Sequence, residues 1–461
     1  MPLGGRRGAA VAGADLRNTV DNLMARARTD LAELVAIPSI AQPGPSPLDD
    51  HRRAAEWVRA AFAAEGFADA RLLDTPDGVP AVYGSLPCSN PDAPTVLLYA
   101  HYDVQPPGDR RAWRTPPFEL TTGPDGRWLG RGAADCKGAV VMHLTALRAL
   151  GGDVPVHVKV IVEGSGERGS GGLATMLPEY AGLLAADVVL VADAGNLAVG
   201  VPALTLTARG LVTLVVTVQT LQAPAHSGRF GGPAPDALTA LIRMLATFHD
   251  DFGNTSVMGL DNIQSWAGAL YPPARFREEA GVLDGVTLPG TGEIADLVWA
   301  RPSLTVLGID CPPVAASEHL IHPVARARLA LRVPPNTDCD RARRALVEHL
   351  HAVVPWGVRV RIDQEDAVEP FRAKTDGPAH TAMTAAMRAV YGEEPASLGR
   401  GGSSPLLAAL GTSLPGAELL LLGVAEPHAL VHAPNESVDP QEIADMALVE
   451  TLFLRTYAAR R

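Results

Sequence analysis

Short apolar runs alternating with helical stretches constrain this chain more than any other feature. AVYGSL (Ala81–Leu86), TVLLYA ending at Ala100, VHVKVIV ending at Val162 and DVVLVAD ending at Asp193 each read as a buried strand. Between the second and third, AVVMHLTALRAL (Ala139–Leu150) reads as a helix. Amphipathic helices are expected over Leu16–Val35, closed by Ile37-Pro38, and over His51–Phe67. Buried strands alternating with helices predict an α/β sheet whose strand ends supply ligand-binding loops.

After Arg209-Gly210 the texture changes. LVTLVVTV, VARARLALRV and GVRVRI read as strands, the second alternating arginine with small or apolar residues, as in an antiparallel sheet with one wet face. PDALTALIRMLATFH and CDRARRALVEHLHAVV are the accompanying helices, and residues 272–292 read as a long surface loop. The expectation is an α+β domain over 210–365 inserted into a domain formed by 1–209 and 366–461. The latter resumes with the helix TAMTAAMRAVYG, the strand ELLLLGV and a helix from Pro440.

Charge narrows the partners. Against 39 Lys and Arg stand 51 Asp and Glu, a net charge of −12, which argues against nucleic acid. The four cysteines form no CxxC pair or disulfide framework and read as free thiols in a reducing cytoplasm. The N-terminal apolar run is too short and broken for a signal peptide, and no run approaches the ~18 residues of a membrane span. A cytoplasmic protein is expected.

The chemistry gathers at strand ends. His101 and Asp103 follow TVLLYA two residues apart, so one carboxylate can orient the imidazole while the other ring nitrogen binds an ion. Asp135 stands in a glycine-flanked loop before a helix, Glu167 follows the third strand, Asp193 the fourth, and His432 follows ELLLLGV. Singly each is weak evidence: His101 and Asp103 read equally as a satisfied structural pair, and Asp135 as a helix N-cap. Together His101, Asp135, Glu167, Asp193 and His432 can converge at one sheet edge. Two imidazoles and three carboxylates suit two divalent ions with one bridging Asp, Zn²⁺ favoured and Mn²⁺ or Co²⁺ as alternatives.

These residues lie within HYDVQP, W-x-x-x-P-F (Trp113 to Phe118), GRGAADCKG, AHSGRFGG and HAPNE, in an order and spacing that resemble one family. It is the di-metal peptidase superfamily of carboxypeptidase G, aminoacylase-1, succinyl-diaminopimelate desuccinylase and the carnosinase-like dipeptidases. HYDVQP and its long gap to GRG-x-x-D-x-KG are most similar to the carnosinase and cytosolic dipeptidase branch. The resemblance implies a phosphorylase/hydrolase-like mixed-sheet catalytic domain with an inserted ferredoxin-like α+β domain serving as lid and homodimer contact. It implies a peptide-like substrate, a dipeptide or N-acyl amino acid, and no membrane partner. His101 and Asp193 would hold one ion, Glu167 and His432 the other, Asp135 would bridge, and Asp103 would orient His101. His226 would reach a neighbouring subunit's site and steady the oxyanion. Arg332 would pair with the substrate carboxylate, to which Gly401, Gly402 and Ser403 would offer backbone N–H groups. A turn histidine and an exposed strand arginine are the ordinary alternatives for His226 and Arg332.

Three departures stand out. Where the family reads E-G-x-E-E-x-G-S, this chain has Glu163-Gly-Ser-Gly166-Glu167-Arg-Gly-Ser170, so glycine occupies the place of the general base. Such a base contributes about 10²–10⁴-fold, and glycine moves no proton. The substitution fits a residue changed to trap substrate, or a natural loss of hydrolysis with the site kept for binding or amide formation. Glu163 is a poor stand-in, because the motif already contains a glutamate there. His319 and His322 interrupt a run that ordinarily approaches the substrate, and Cys136 replaces an acidic or polar neighbour of the bridging Asp. The expected function is an impaired amide or dipeptide hydrolase; the alternative is a silent or repurposed metal-binding homologue.

Overall fold

Strands buried on both faces need apolar side chains throughout, and in the computed structural model Ala81–Leu86, Thr95–His101, His157–Glu163 and Val188–Val191 are almost wholly buried. The structure describes residues 4–41, 48–152 and 154–458, with only the backbone of 4–14; Met1–Leu3, part of the segment weighed as a leader, lie outside the described residues. The chain divides into two compact units: 1–206 with 373–398 and 405–461, and 207–372 with 399–404.

In the first unit the strand order is Arg71–Leu73, Ala81–Leu86, His157–Glu163, Thr95–His101, Val188–Val191, Glu418–Leu421, Ala203–Ala208. The four strands from His157–Glu163 to Glu418–Leu421 run parallel, with His101 level with Glu163, Tyr99 with Val191 and Leu421 with Val191. Their C-terminal ends therefore share one edge. The flanking strands are antiparallel, which makes the sheet mixed.

The crossover helix Lys137–Leu150 buries every residue except Arg148 and packs against Gly4–Val35 and Pro440–Ala458. At its start the buried Lys137 ammonium donates to the carbonyls of Leu34 (2.9 Å) and Ile37 (2.7 Å), tying it to the end of the N-terminal helix. No helix among the described residues is long and apolar enough to cross a membrane.

The second unit has an antiparallel sheet in the order Ser303–Asp310, Val324–Val333, Gly210–Gln219, Arg359–Val368. Helices Ala237–Leu245 and Cys339–Ala352 cover one face, and their apolar residues share one core with those of the sheet. Along Val324–Val333 exposed and buried residues alternate at first, as the interleaved arginines predict. Two details differ from the sequence reading. The stretch expected as plain loop contains a helix, Pro273–Glu279, started by Pro272-Pro273. Residues 207–209, 366–372 and 399–404, expected in the first domain, belong to the second unit, where Arg209 Nε donates to the Gly401 carbonyl at 3.0 Å and Arg332 Nη1 to Ser403 Oγ at 3.2 Å.

Candidate active site

The common edge of the parallel strands brings the first unit's candidate residues together. His101 is the last residue of its strand and is buried; its Nε2 lies 3.0 Å from Asp135 Oδ1 and 3.8 Å from Asp193 Oδ1. His432 Nε2 lies 3.0 Å from Asp135 Oδ2 and 3.0 Å from Glu167 Oε2. The two oxygens of Asp135 thus face two different imidazoles, dividing the cluster into halves around one shared carboxylate.

Asp103 acts from behind. His101 Nδ1 hydrogen-bonds to the Asp103 carbonyl at 3.1 Å and lies equally far from Oδ1 of its fully buried carboxylate. Oδ1 accepts the Gly166 N–H and Oδ2 the Glu167 N–H, each at 3.0 Å. One residue therefore orients the imidazole and pins the turn that carries Glu167. Gln105 Nε2 holds Glu167 Oε2 at 3.0 Å, leaving Glu167 Oε1 buried and without a hydrogen-bond partner among the described residues. An unpaired buried carboxylate oxygen is costly unless something positive meets it. Together with the mixed N/O donor set, it fits a divalent cation.

The charges are strongly coupled. Burial alone would raise the Asp135 carboxyl, but hydrogen bonds with His101 and His432 hold it well below the usual carboxylate range. Hydrogen bonds to Asp135 and Glu167 push His432 up to about 10. Glu163, buried beside this edge with Oε1 accepting the Tyr99 hydroxyl at 2.5 Å, is pushed up to about 7 by burial.

Gly166 has no room to spare. A Cβ there would stand 2.5 Å from His101 Cγ, 2.7 Å from Cδ2 and 2.8 Å from Cβ. The imidazole occupies the space that a side chain at position 166 would need. Cys136 is buried, with Sγ donating to the Ala192 carbonyl at 3.0 Å, and burial raises its thiol pKa well above the ordinary value. Its sulfur, His101 and Asp135 offer ligand atoms within 4.8 Å of one another, as do Asp135, Glu167 and His432.

The second unit has its own grouping. Arg332 meets Ser403 as above, and the buried Arg209 donates through Nη1 to the carbonyls of Leu297 (3.1 Å) and Arg301 (3.2 Å) and to Ser303 Oγ (3.1 Å). Arg332, Gly401 and Ser403 therefore come together. His226 is exposed, caps the short helix Ser227–Phe230 by accepting the Gly228 N–H at 3.1 Å, and pairs across a two-stranded ladder with Leu320. His319 accepts the Ser227 N–H through its carbonyl at 2.9 Å, and His322 N donates to Asp236 Oδ1 at 3.3 Å.

Sequence reasoning missed Gln105, Arg209, Arg131 and Glu436. Gln105 and Glu436 lie inside HYDVQP and HAPNE, so those motifs were the available signal. Arg131 lies inside GRGAADCKG, so that motif was its signal too, while Arg209 looks like any arginine beside a glycine.

The model of Peptidase family M20/M25/M40 matches residues 97–456. The cysteinylglycine-S-conjugate dipeptidase of Corynebacterium striatum is 42% identical over 421 residues, covering 90% of this chain and 91% of that protein. The human Beta-Ala-His dipeptidase is 27% identical over 378 residues, covering 77% and 74%. Among solved structures, the Saccharomyces cerevisiae dipeptidase Dug1p superposes with a TM-score of 0.76 at 22% identity, covering 97% of this chain and 98% of that one. Human carnosine dipeptidase 1 superposes with 0.74 at 24%, covering 97% and 99%; at such identities the likeness is one of fold. With a family model matched over most of its length and its motifs in order along the sequence, the chain belongs to peptidase family M20/M25/M40 and is a hydrolase of the metallodipeptidase type.

Proposed function

We propose that this protein is a two-metal dipeptidase whose metal-binding residues are intact and whose usual proton shuttle is missing at Gly166. The observation that carries the reading is Asp135, whose two oxygens each lie 3.0 Å from a different imidazole. His101 and Asp193 would hold one ion, Glu167 and His432 the other, with Asp135 shared and Zn²⁺ favoured by the N/O donors. Ions bound there would polarise the scissile carbonyl and acidify a water.

The chain's own residues do the rest. Asp103 keeps His101 oriented with Nε2 toward Asp135, and Gln105 fixes one oxygen of Glu167. Arg332 and the 401–403 loop form a cationic group suited to a substrate carboxylate. Gly166 cannot carry the proton from water to the leaving amine, so turnover falls to whatever solvent or the substrate's own amino group supplies. Relatives named for cysteinylglycine conjugates, Cys-Gly and Beta-Ala-His point to free dipeptides, Cys-Gly types first. The second unit serves as lid and dimer contact, with His226 offered to the neighbouring site. Free cysteines at all four positions suit the cytoplasm.

Metal analysis after Zn²⁺ reconstitution, paired with turnover of a dipeptide panel, tests this. About two ions per chain and slow metal-dependent cleavage are expected. Two ions without cleavage of any member would favour the silent or repurposed homologue, a reading supported by the imidazole's filling of the space at position 166.

A further inference from the structure

Behind the candidate ligands lies a carboxylate that none of these roles uses. Glu436 is completely buried, and its Oε1 accepts the N–H groups of Ala134 and Asp135, each at 3.1 Å. Its Oε2 accepts the Gly132 N–H at 3.0 Å and Arg131 Nη1 at 2.6 Å. A carboxylate has about four acceptor directions, and all are taken. Three of the four donors are backbone groups of the loop that ends in Asp135.

Arg131, equally buried, reaches elsewhere with Nη2. It donates to the carbonyls of His432 (3.2 Å), Ala433 (3.3 Å) and Pro106 (3.3 Å), and its guanidinium lies 5.3 Å from the centre of the Trp113 ring. The ion pair therefore joins the Asp135 loop, the His432 loop and the segment that follows His101 and Asp103. The His432 loop needs such support, because Leu430 (φ 52°), His432 (φ 68°) and Asn435 (φ 67°) all adopt left-handed backbone. Such residues are strained and persist only where their surroundings enforce them.

We propose that Glu436 and Arg131 are a positioning pair that sets the separation of Asp135 and His432 before metal arrives, preforming the half-site shared by Asp135, Glu167 and His432. This rests on the reading of those residues as metal ligands. A buried ion pair is a weak source of stability compared with apolar side chains of similar volume. One whose hydrogen bonds go almost entirely to backbone of two ligand-bearing loops is better explained by the geometry it enforces.

The test is Zn²⁺ and Co²⁺ titration of the metal-free full chain, as wild type, Glu436→Gln and Glu436→Gln/Arg131→Met. The double variant leaves no lone buried charge. Wild type should bind two ions. In both variants the ion held by Asp135, Glu167 and His432 should lose roughly 10–100-fold in affinity, the usual effect of removing a residue that orients a ligand, and the ion at the His101 half-site, which shares only Asp135, should lose less. Paramagnetic coupling between two Co²⁺ ions should weaken with it. Hydrogen exchange across 131–136 in metal-free wild type gives an independent readout that does not depend on the variants folding. Protected amides at Gly132, Ala134 and Asp135 support the proposal. Exchange at open-loop rates until Zn²⁺ is added would overturn it. Two ions held equally well by wild type and variants would overturn the positioning role alone, and no ion bound by wild type would overturn the ligand reading with it.

Discussion

Placing a side chain at position 166 separates two effects that a single substitution would confound. In Gly166→Ala the new Cβ meets His101 Cγ at 2.5 Å, whereas ordinary contact begins near 3.4 Å, so ring and turn must separate by about 0.9 Å. The ring is not free to retreat, being held by Asp103 at Nδ1 and facing Asp135 at Nε2. Overpacking of this kind costs about 1–3 kcal/mol, and a ligand displaced by ~1 Å can cost about 10²-fold in rate. Gly166→Ala is therefore expected to melt lower, bind metal more weakly at the His101 half-site and show no gain in turnover. Gly166→Glu carries the same clash plus a carboxylate worth about 10²–10⁴-fold as a base. Against wild type these terms partly cancel, so the ratio of kcat between the Glu and Ala variants is the informative quantity. It should be roughly 10²-fold or more, with similar KM, because proton transfer acts mainly in the transition state. The assay needs thermal melts, metal content and steady-state rates on one Cys-Gly-type dipeptide for all three proteins. Equal kcat for the Glu and Ala variants at equal metal content would refute the idea that position 166 lacks only its base. An Ala variant as stable and as metal-replete as wild type would refute the packing argument.

Other outcomes follow from the same geometry. Asp135→Ala should lower occupancy of both ions and Asp103→Ala should weaken one more mildly, as read by elemental analysis. With His432 raised to about 10 in the metal-free protein, bound metal must displace its proton. Affinity should therefore fall as pH drops below that value, with proton release visible by calorimetry in buffers of different ionisation enthalpy. Glu163 is raised from 4.5 to about 7, so the stability it contributes is fully present below pH 4.5 and lost as pH rises through 7. Denaturant unfolding of Glu163→Gln should lack that part of the decline between those values; an unchanged profile would remove Glu163 from the account. If His226 serves a neighbouring site, light scattering should show a two-fold dimer at micromolar concentration, and a strict monomer would end that role.

The sequence by itself determined the strands and much of the candidate site, for a local reason. A strand buried on both faces must be apolar along its length, so AVYGSL, TVLLYA, VHVKVIV and DVVLVAD announced themselves. Polar residues at or just past the ends of such runs fall at the sheet edge, which is why His101 and Asp193 could be named from position, while Glu167 and His432, in the loops beyond, joined them as part of a metal-binding set. The glycine at 166 was equally plain, standing where the family resemblance leads one to expect a glutamate. Tertiary structure alone decided which oxygen of Asp135 faces which imidazole, since that depends on four parallel strands in register and a loop returning 297 residues later. It alone showed that a side chain at 166 would meet the His101 ring, because that neighbour is 65 residues away in sequence and one strand away in the sheet. Gly399–Ser404 was assigned by chain position but joins the other unit through Arg209 and Arg332, contacts with no local signature. Glu436 and Arg131 stand inside HAPNE and GRGAADCKG, but their pairing had no local signature. A carboxylate and a guanidinium 305 residues apart look like surface charges in sequence, and only the folded chain buries both and spends their hydrogen bonds on the loops that carry Asp135 and His432.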